Sequence, residues 1–209
     1  MKKLLSVLTL SLLGCTSAAT QGQKCDVPPP TRVKPMLHNV QVTRKLHLDS
    51  RFTPEEVIVV KDAARAWTDV SGGIVGYEIV TGYKFDPSTP PPNKILLLRL
   101  ESSDPLTKKL GLEEEVTSGT MVMPGTVVIV FVVDRINSKE ALKAQVIRNL
   151  GTDLGLPSFR GKYPAVMNEE MDVSCPTKYD MILFCTKYVC DWKETDYCEA
   201  EPKNKVDKL

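Results

Sequence analysis

Histidine is nearly absent from this chain. Only His38 and His47 occur among 209 residues, so a metal site that needs three imidazole ligands cannot be assembled from it. An excess of charge of one sign is absent as well, since 27 Lys and Arg stand against 26 Asp and Glu and the net charge is +1. A chain this close to neutral has no overall attraction to nucleic acid, and no nucleic-acid partner is expected.

Long apolar runs are missing too. The longest, residues 4–13, is shorter than the about 20 residues that a membrane-spanning helix needs. It follows the basic start Lys2-Lys3, as the apolar region of a secretory signal does. With 42% apolar and 25% charged residues, the rest of the chain is typical of a globular protein with one sizeable core.

The apolar run ends in Leu12-Leu13-Gly14-Cys15, which resembles the lipobox of bacterial lipoproteins. The resemblance implies removal of residues 1–14 and lipidation of Cys15, which would anchor the exported protein to the membrane of the cell envelope. Thr16, rather than Asp, implies the outer membrane if the cell is Gram-negative. The alternative is an ordinary signal peptide with an incidental cysteine. Residues 15–37 are small, polar and proline-rich, which indicates a flexible tether.

From residue 38 onward, the spacing of apolar residues predicts alternating strands and helices. Strands are predicted at five places: 39–48, 74–80, 94–100, 120–123 and 127–133. Residues 94–100 are apolar on both faces, so this strand is expected near the centre of the sheet.

Two long helices are predicted between these strands. Thr53-Pro54-Glu55-Glu56 forms a capping box with proline at the first helical position, so one helix begins there and ends at Gly72-Gly73. The other is predicted to begin after Asn137 as its cap and to end at Gly151 or Gly155. The fold class is therefore α/β (α+β), with a mixed sheet of about five strands and two long helices.

Residues 148–158, Arg-Asn-Leu-Gly-Thr-Asp-Leu-Gly-Leu-Pro-Ser, resemble the zinc-binding stretch of metzincin metalloproteases, the matrixin-like members in particular. That stretch reads His-Glu-x-x-His-x-x-Gly-x-x-His, and Gly155 matches its glycine. Pro164–Asn168 resembles the methionine turn that follows, with Met167 as its methionine. The resemblance extends over residues 38–190 and implies a metzincin-like domain at 38–173.

The catalytic residues of the motif are replaced. Arg148, Thr152 and Ser158 stand at its three histidine positions, and Asn149 stands at the glutamate position. Arginine stays protonated, hydroxyl groups are poor zinc ligands, and an amide cannot take a proton from water. The resemblance therefore implies a catalytically inactive pseudoprotease with no metal and no other cofactor. Arg148 either replaces the positive charge of the metal or is a surface arginine.

Two alternatives keep an enzymatic function open. Asp153, or Glu169, Glu170 and Asp172 after the methionine turn, would have to supply the metal ligands of an active matrixin-like metallopeptidase; otherwise they form a solvated acidic loop. Ser158 as the nucleophile of a hydrolase has no histidine partner. The prediction therefore leans towards a protein that is not an enzyme.

The strand that ends at Pro124-Gly125 suits the edge of a sheet. In active metzincins the substrate lies extended along the corresponding strand, and backbone hydrogen bonds hold it. The resemblance implies that an extended peptide or an envelope protein binds here without being cleaved, at Gly119, Thr120, Met121, Val122 and Met123. An idle edge closed by Pro124 is the alternative.

Five cysteines remain besides the predicted lipidation site: Cys25, Cys175, Cys185, Cys190 and Cys198. No Cys-x-x-Cys pair occurs among them, and an exported location favours disulfides. The last four allow three pairings, which stay open, and Cys25 is either free or displaces one of them. Residues 177–188 resemble the last metzincin helix, so a disulfide-stapled subdomain is expected at 174–198, followed by a polar tail at 199–209.

Overall fold

The structure is a computed structural model that describes residues 42–86, 94–112, 114–123, 125–171 and 173–188. The predicted signal peptide, tether and tail lie outside these ranges, as do Cys15, Cys25, Cys190 and Cys198. The strands are β1 (Val42–Asp49), β2 (Val75–Tyr83), β3 (Lys94–Leu100), β4 (Ser118–Met123) and β5 (Thr126–Val132). The α-helices are α1 (Pro54–Val70), α2 (Pro105–Lys109), α3 (Lys139–Asp153) and α4 (Lys178–Cys185), and a short 3-10 helix covers Val133–Arg135.

The five strands form one mixed sheet in the order β2-β1-β3-β5-β4. Neighbours among β1, β2, β3 and β5 run parallel, whereas β4 runs antiparallel to β5 and forms one edge. The predicted mixed sheet of five strands is confirmed. β3 is its middle strand, as its apolar residues on both faces indicated.

Each face of the sheet carries its own apolar cluster. Helices α1 and α3 cover one face, where Trp67 is fully buried and its Nε1 donates to the carbonyl oxygen of Ile147 at 2.8 Å. The other face carries Leu96, Leu98 and Val130 under α2 and the segments beside it. Because both faces of the sheet are covered, β3 and β5 carry apolar side chains on both sides.

The N-terminal caps of the helices agree with the sequence prediction in one case and differ in another. Thr53 closes its capping box with Glu56 as predicted, and α1 begins at Pro54. The predicted cap at Asn137 is wrong, because Ser138 Oγ accepts the hydrogen bond from the amide of Ala141 at 3.0 Å. Helix α2 was missed: it is a single turn capped by Asp104, too short for apolar periodicity to reveal.

No helix in the described part of the chain combines the length and the apolar composition needed to cross a membrane.

Candidate functional site

The motif helix α3 ends in a turn that only glycine adopts readily. Gly155 has φ +78°, and its amide donates to the carbonyl of Thr152 at 2.8 Å, while the amide of Leu156 donates to Gly151 at 2.9 Å. These two bonds make a Schellman motif, which closes the helix and reverses the chain. Arg148, Asn149 and Thr152 therefore lie in the last two turns of α3, and Ser158 lies in the loop that follows the Schellman motif.

Arg148 is neither a metal ligand nor a free surface arginine. Its Nε donates to the carbonyl oxygen of Val166 at 2.8 Å, and its Nη2 donates to those of Asn168 at 3.2 Å and Met171 at 3.1 Å. The half-buried guanidinium thus binds two carbonyls of the segment predicted as the methionine turn and one carbonyl just after it. Its cationic donors join α3 to this segment.

Met167 packs directly beneath α3. Its side chain is fully buried, and a Cβ atom at Gly151 would lie 2.5 Å from its Sδ and 3.0 Å from Cζ2 of Trp67. A side chain at Gly151 would therefore push the methionine away. The close approach of helix and turn explains why glycine occupies this helix interior despite its low helix propensity.

Asp180 holds the same segment from the other side. Its fully buried carboxylate accepts from the amides of Val166 and Met167 at 3.0 Å each and from the amide of Thr177 at 2.7 Å. Burial raises the pKa of Asp180, and the hydrogen bonds from these donors oppose that shift. The segment predicted as the methionine turn is therefore fixed by a cation on its carbonyls and by a carboxyl group on its amides.

Asn149 ties α3 to the edge strand β4. Its Oδ1 accepts from the hydroxyl of Thr120 at 2.8 Å, and its Nδ2 donates to Ser118 Oγ at 3.1 Å and to the carbonyl oxygen of Gln145 at 2.7 Å. An amide suits this place because it donates and accepts at once, whereas an ionised glutamate only accepts. The residue at the position of the catalytic base is thus a cross-link between helix and strand.

The other two histidine positions are exposed. Thr152 Oγ1 donates back to the carbonyl oxygen of Arg148 at 3.2 Å, and Ser158 is exposed in the loop that follows. Asp153 turns away from them: its carboxylate binds Arg44 Nη1 at 2.7 Å and is 2% exposed. Burial raises the pKa of Asp153, and Arg44 opposes that shift.

These residues do not fit a zinc ion. The described residues contain no group of three or more His, Cys, Asp or Glu side chains that could hold a metal. Glu169 is exposed and pairs with Arg160 at 2.8 Å, Glu170 is exposed, and Asp172 lies outside the described residues. With a guanidinium and two hydroxyls at the ligand positions, the donor set that zinc prefers is missing.

The predicted edge strand lies beside α3. Because Thr120 bonds Asn149 and side chains alternate along a strand, Val122 also faces the side of α3. Val122 is 81% exposed, whereas Met121 packs into the apolar cluster of the opposite face and Gly119 approaches Leu112. β4 is the terminal strand of the described sheet and includes Met123 as its last residue.

Two of the predicted disulfide cysteines lie in the described ranges. Cys175 and Cys185 are both disulfide-bonded, and Cys185 is the last residue of α4. The three other candidate cysteines lie outside the described residues. The pairing therefore stays open, and the stapled subdomain stays a prediction.

Sequence reasoning missed two polar contacts that fix the site, those of Asp180 and Arg44. Thr177 and Asp180 carry the spacing of a capping box, and the structure has that box at the start of α4. This signal predicts the contact of Asp180 with Thr177 but not its contacts with the methionine turn. For Arg44 no local signal exists, because its partner Asp153 is 109 positions away.

No known protein-family model matches the chain, and no curated protein matches it.

Proposed function

We propose that this chain is a catalytically inactive metzincin-like pseudoprotease, a lipoprotein of the bacterial cell envelope that binds a protein or an extended peptide or has a structural role there. The observation that carries the proposal is the set of hydrogen bonds that the guanidinium of Arg148 makes. The side chain at the first histidine position of the motif is committed to three backbone carbonyls.

Other features support the metzincin-like part of the proposal. The sheet has four parallel strands and an antiparallel edge strand beside the motif helix. The helix ends at Gly155 in the expected turn, and Met167 packs under it at Gly151. These features agree with the resemblance that the sequence carries at residues 148–158 and 164–168.

The chemistry of the site argues against peptide hydrolysis. A zinc hydrolase needs about three protein ligands and a base that takes a proton from the attacking water. Arg148 carries no lone pair for a metal, and Asn149 uses both ends of its amide in hydrogen bonds. A neutral amide also takes no proton near neutral pH, so Asn149 cannot act as the base.

The edge strand supplies the support for a binding role. A terminal strand presents backbone N–H and C=O groups to which an extended chain can add by backbone pairing. Val122 offers an exposed apolar contact next to that edge. We therefore place the partner, an extended peptide or an envelope protein, along residues 119–123. The lipid anchor at Cys15 would keep this edge close to a membrane surface.

Metal content and peptidase activity test the loss of catalysis. We expect the purified full-length chain to contain no stoichiometric zinc and to leave unstructured peptides intact with and without a chelator. One tightly bound zinc per chain, or cleavage that a chelator abolishes, would overturn the pseudoprotease proposal. Alanine substitutions at Arg148, Asp153 and Glu169 would then identify the residues of an active enzyme.

Photo-crosslinking in cells tests the binding role. A photoreactive residue at position 122 should capture a defined partner, because Val122 is 81% exposed on the terminal strand of the described sheet. Position 58 is the matched control, since Ile58 is also an exposed apolar residue but lies on α1. Equal capture from both positions, or none from position 122, would leave only a structural role.

A further inference from the structure

A second concave surface lies at the N-terminal ends of three parallel strands, apart from the residues that define the motif. It is a cavity of about 480 Å³ between the first residues of β1, β3 and β5 and the end of α3. The pairing of β1 with β3 begins at Leu46 and Ile95, so Lys45 and Lys94 directly precede the paired stretch on the two strands.

The lining of this cavity is strongly basic. Arg44, Lys45 and Lys94 contribute three permanent cations, and His47 lies beside them. The one acidic residue of the lining is Asp153, whose carboxylate already binds Arg44 at 2.7 Å. Three cations against one carboxylate leave an excess of two positive charges in the lining, and Glu78, which pairs with Lys45 from β2, lowers the local excess to one.

The cations are available to a ligand to different degrees. Lys94 has no carboxylate partner among the described residues, and its Nζ lies 5.5 Å from the ring centroid of Tyr83. Lys45 pairs with Glu78 at 3.1 Å, but both side chains are at least half exposed, and such pairs contribute little. Lys94 and Lys45 can therefore turn towards an anion at small cost.

His47 lies close to both lysines of the cavity. Burial lowers the pKa of His47, and the nearby charges of Lys94 and Lys45 lower it further, against the opposing effect of Glu78. The ring also packs edge-on against Tyr83, with the centroids 5.8 Å apart. Tyr83 thus holds both His47 and Lys94 at the rim of the cavity.

We propose that this cavity binds a phosphate-bearing anion. A volume of about 480 Å³ lies in the range of small-ligand pockets. A phosphate monoester carries between about −1.5 and −2 charges and three acceptor oxygens at neutral pH, so it attracts Lys94 and Lys45 together more strongly than a single carboxylate does. Lysine and arginine both bind phosphate oxygens through charge-assisted hydrogen bonds.

The phosphate belongs either to a lipid headgroup or to a free phosphate ester. β1 begins at Val42, next to the lining residue Thr43, so the chain enters the domain beside this cavity. If the predicted tether carries a lipid at Cys15, membrane phosphate is within its reach. The cavity itself is independent of the proposed loss of catalysis and of the edge strand.

Calorimetric titration of the full-length chain in nonionic detergent with inorganic phosphate tests the proposal. We expect saturable binding that Lys94→Gln weakens about tenfold, since loss of a charge-assisted hydrogen bond to phosphate is worth about that factor. Lys61→Gln removes an exposed lysine from α1 and is the matched control. No binding of phosphate, or equal weakening by both substitutions, would overturn the proposal.

A second pair of titrations identifies the source of the phosphate. Glycerol 3-phosphate and dihexanoyl phosphatidic acid carry the same phosphate group without and with acyl chains. Tighter Lys94-dependent binding of the lipid supports a headgroup site, and equal or weaker binding supports a free ester. Binding of the lipid that Lys94→Gln leaves unchanged comes from its acyl chains and counts against the cavity.

Discussion

The two sides of the end of α3 use their polar groups differently. On the methionine-turn side, Arg148 and Asp180 bind the backbone of residues 166–171 from two directions, and the contacts are internal. On the edge-strand side, Asn149 makes the connection to β4, beyond which Val122 stands exposed. The polar groups on the methionine-turn side therefore stabilise the fold. The edge-strand side, in contrast, leaves an apolar side chain exposed that another chain can contact.

This difference separates stability from binding within one site. If the methionine-turn side is a structural clamp, substitutions there should lower the free energy of unfolding strongly. They should reduce partner capture only as far as they unfold the protein. If the edge-strand side is a docking surface, its outermost residue should affect capture and leave stability unchanged. Four substitutions, taken from the largest expected effect on stability to the smallest, test this separation.

Asp180→Ala should cause the largest loss of stability. The substitution leaves the buried amides of Val166, Met167 and Thr177 without their acceptor, and each unsatisfied group is costly. We expect the free energy of unfolding, measured by urea denaturation, to fall by about 3–5 kcal/mol. Asp62→Ala removes an exposed carboxylate from α1 and should change it by less than about 0.5 kcal/mol. A similar small change for Asp180→Ala would show that the clamp is unimportant.

Arg148→Met should come second. Methionine keeps much of the aliphatic length of the side chain but removes all three bonds to the backbone of residues 166–171. Because Arg148 is only half-buried and its three bonds are partly buried, we expect a loss of about 2–3 kcal/mol in the same assay. Arg65→Met, on the exposed side of α1, is the matched control. Equal effects of the two substitutions would mean that Arg148 behaves as an ordinary surface arginine.

The contrast between Arg148 and Asp180 also shows how far the sequence predicts this site. The motif spacing placed Arg148 at a metal position, but it left open whether this residue replaces the metal charge or lies on the surface, because the spacing names no partner. The capping box assigned Asp180 to the start of α4. Its bonds to Val166 and Met167 depend on how α4 packs against the turn, which local sequence does not encode.

Elements with strong local signals were predicted best. β3 and the start of α1 follow from a two-sided apolar run and from a capping box, which are properties of a few adjacent residues. The start of α3 was misplaced by one residue because Asn137 and Ser138 are both good caps, and only the structure shows which side chain accepts from Ala141. The basic cavity at Arg44, Lys45 and Lys94 depends on strand register, and no local pattern revealed it.

Asn149→Ala tests the connection to the edge strand. The substitution removes the bonds to Ser118 and Thr120 but leaves the backbone pairing of β4 with β5 in place. We expect a smaller loss, about 1–2 kcal/mol, and faster amide hydrogen exchange confined to β4. Asn137→Ala, at an exposed asparagine before α3, is the control. Faster exchange throughout the sheet would contradict a local role for Asn149.

Val122→Lys should have the smallest effect on stability and the largest on binding. The side chain is 81% exposed, so the substitution removes little buried apolar area, and the free energy of unfolding should stay within about 0.5 kcal/mol of the original. A lysine at this place replaces the apolar contact with a charge, and charged side chains on edge strands discourage pairing with another chain. Partner capture should therefore be lost.

Val122→Thr provides the matched comparison, because it keeps the β-branched shape without adding a charge. Capture should be read from a photoreactive residue at position 120 or at position 118, so that the probe and the substitution remain separate. If Val122→Thr retains capture while Val122→Lys abolishes it at unchanged stability, the edge-strand side binds its partner through an apolar contact next to the strand. If both variants capture as the original chain does, the partner contacts another surface, and the exposure of Val122 has no part in binding.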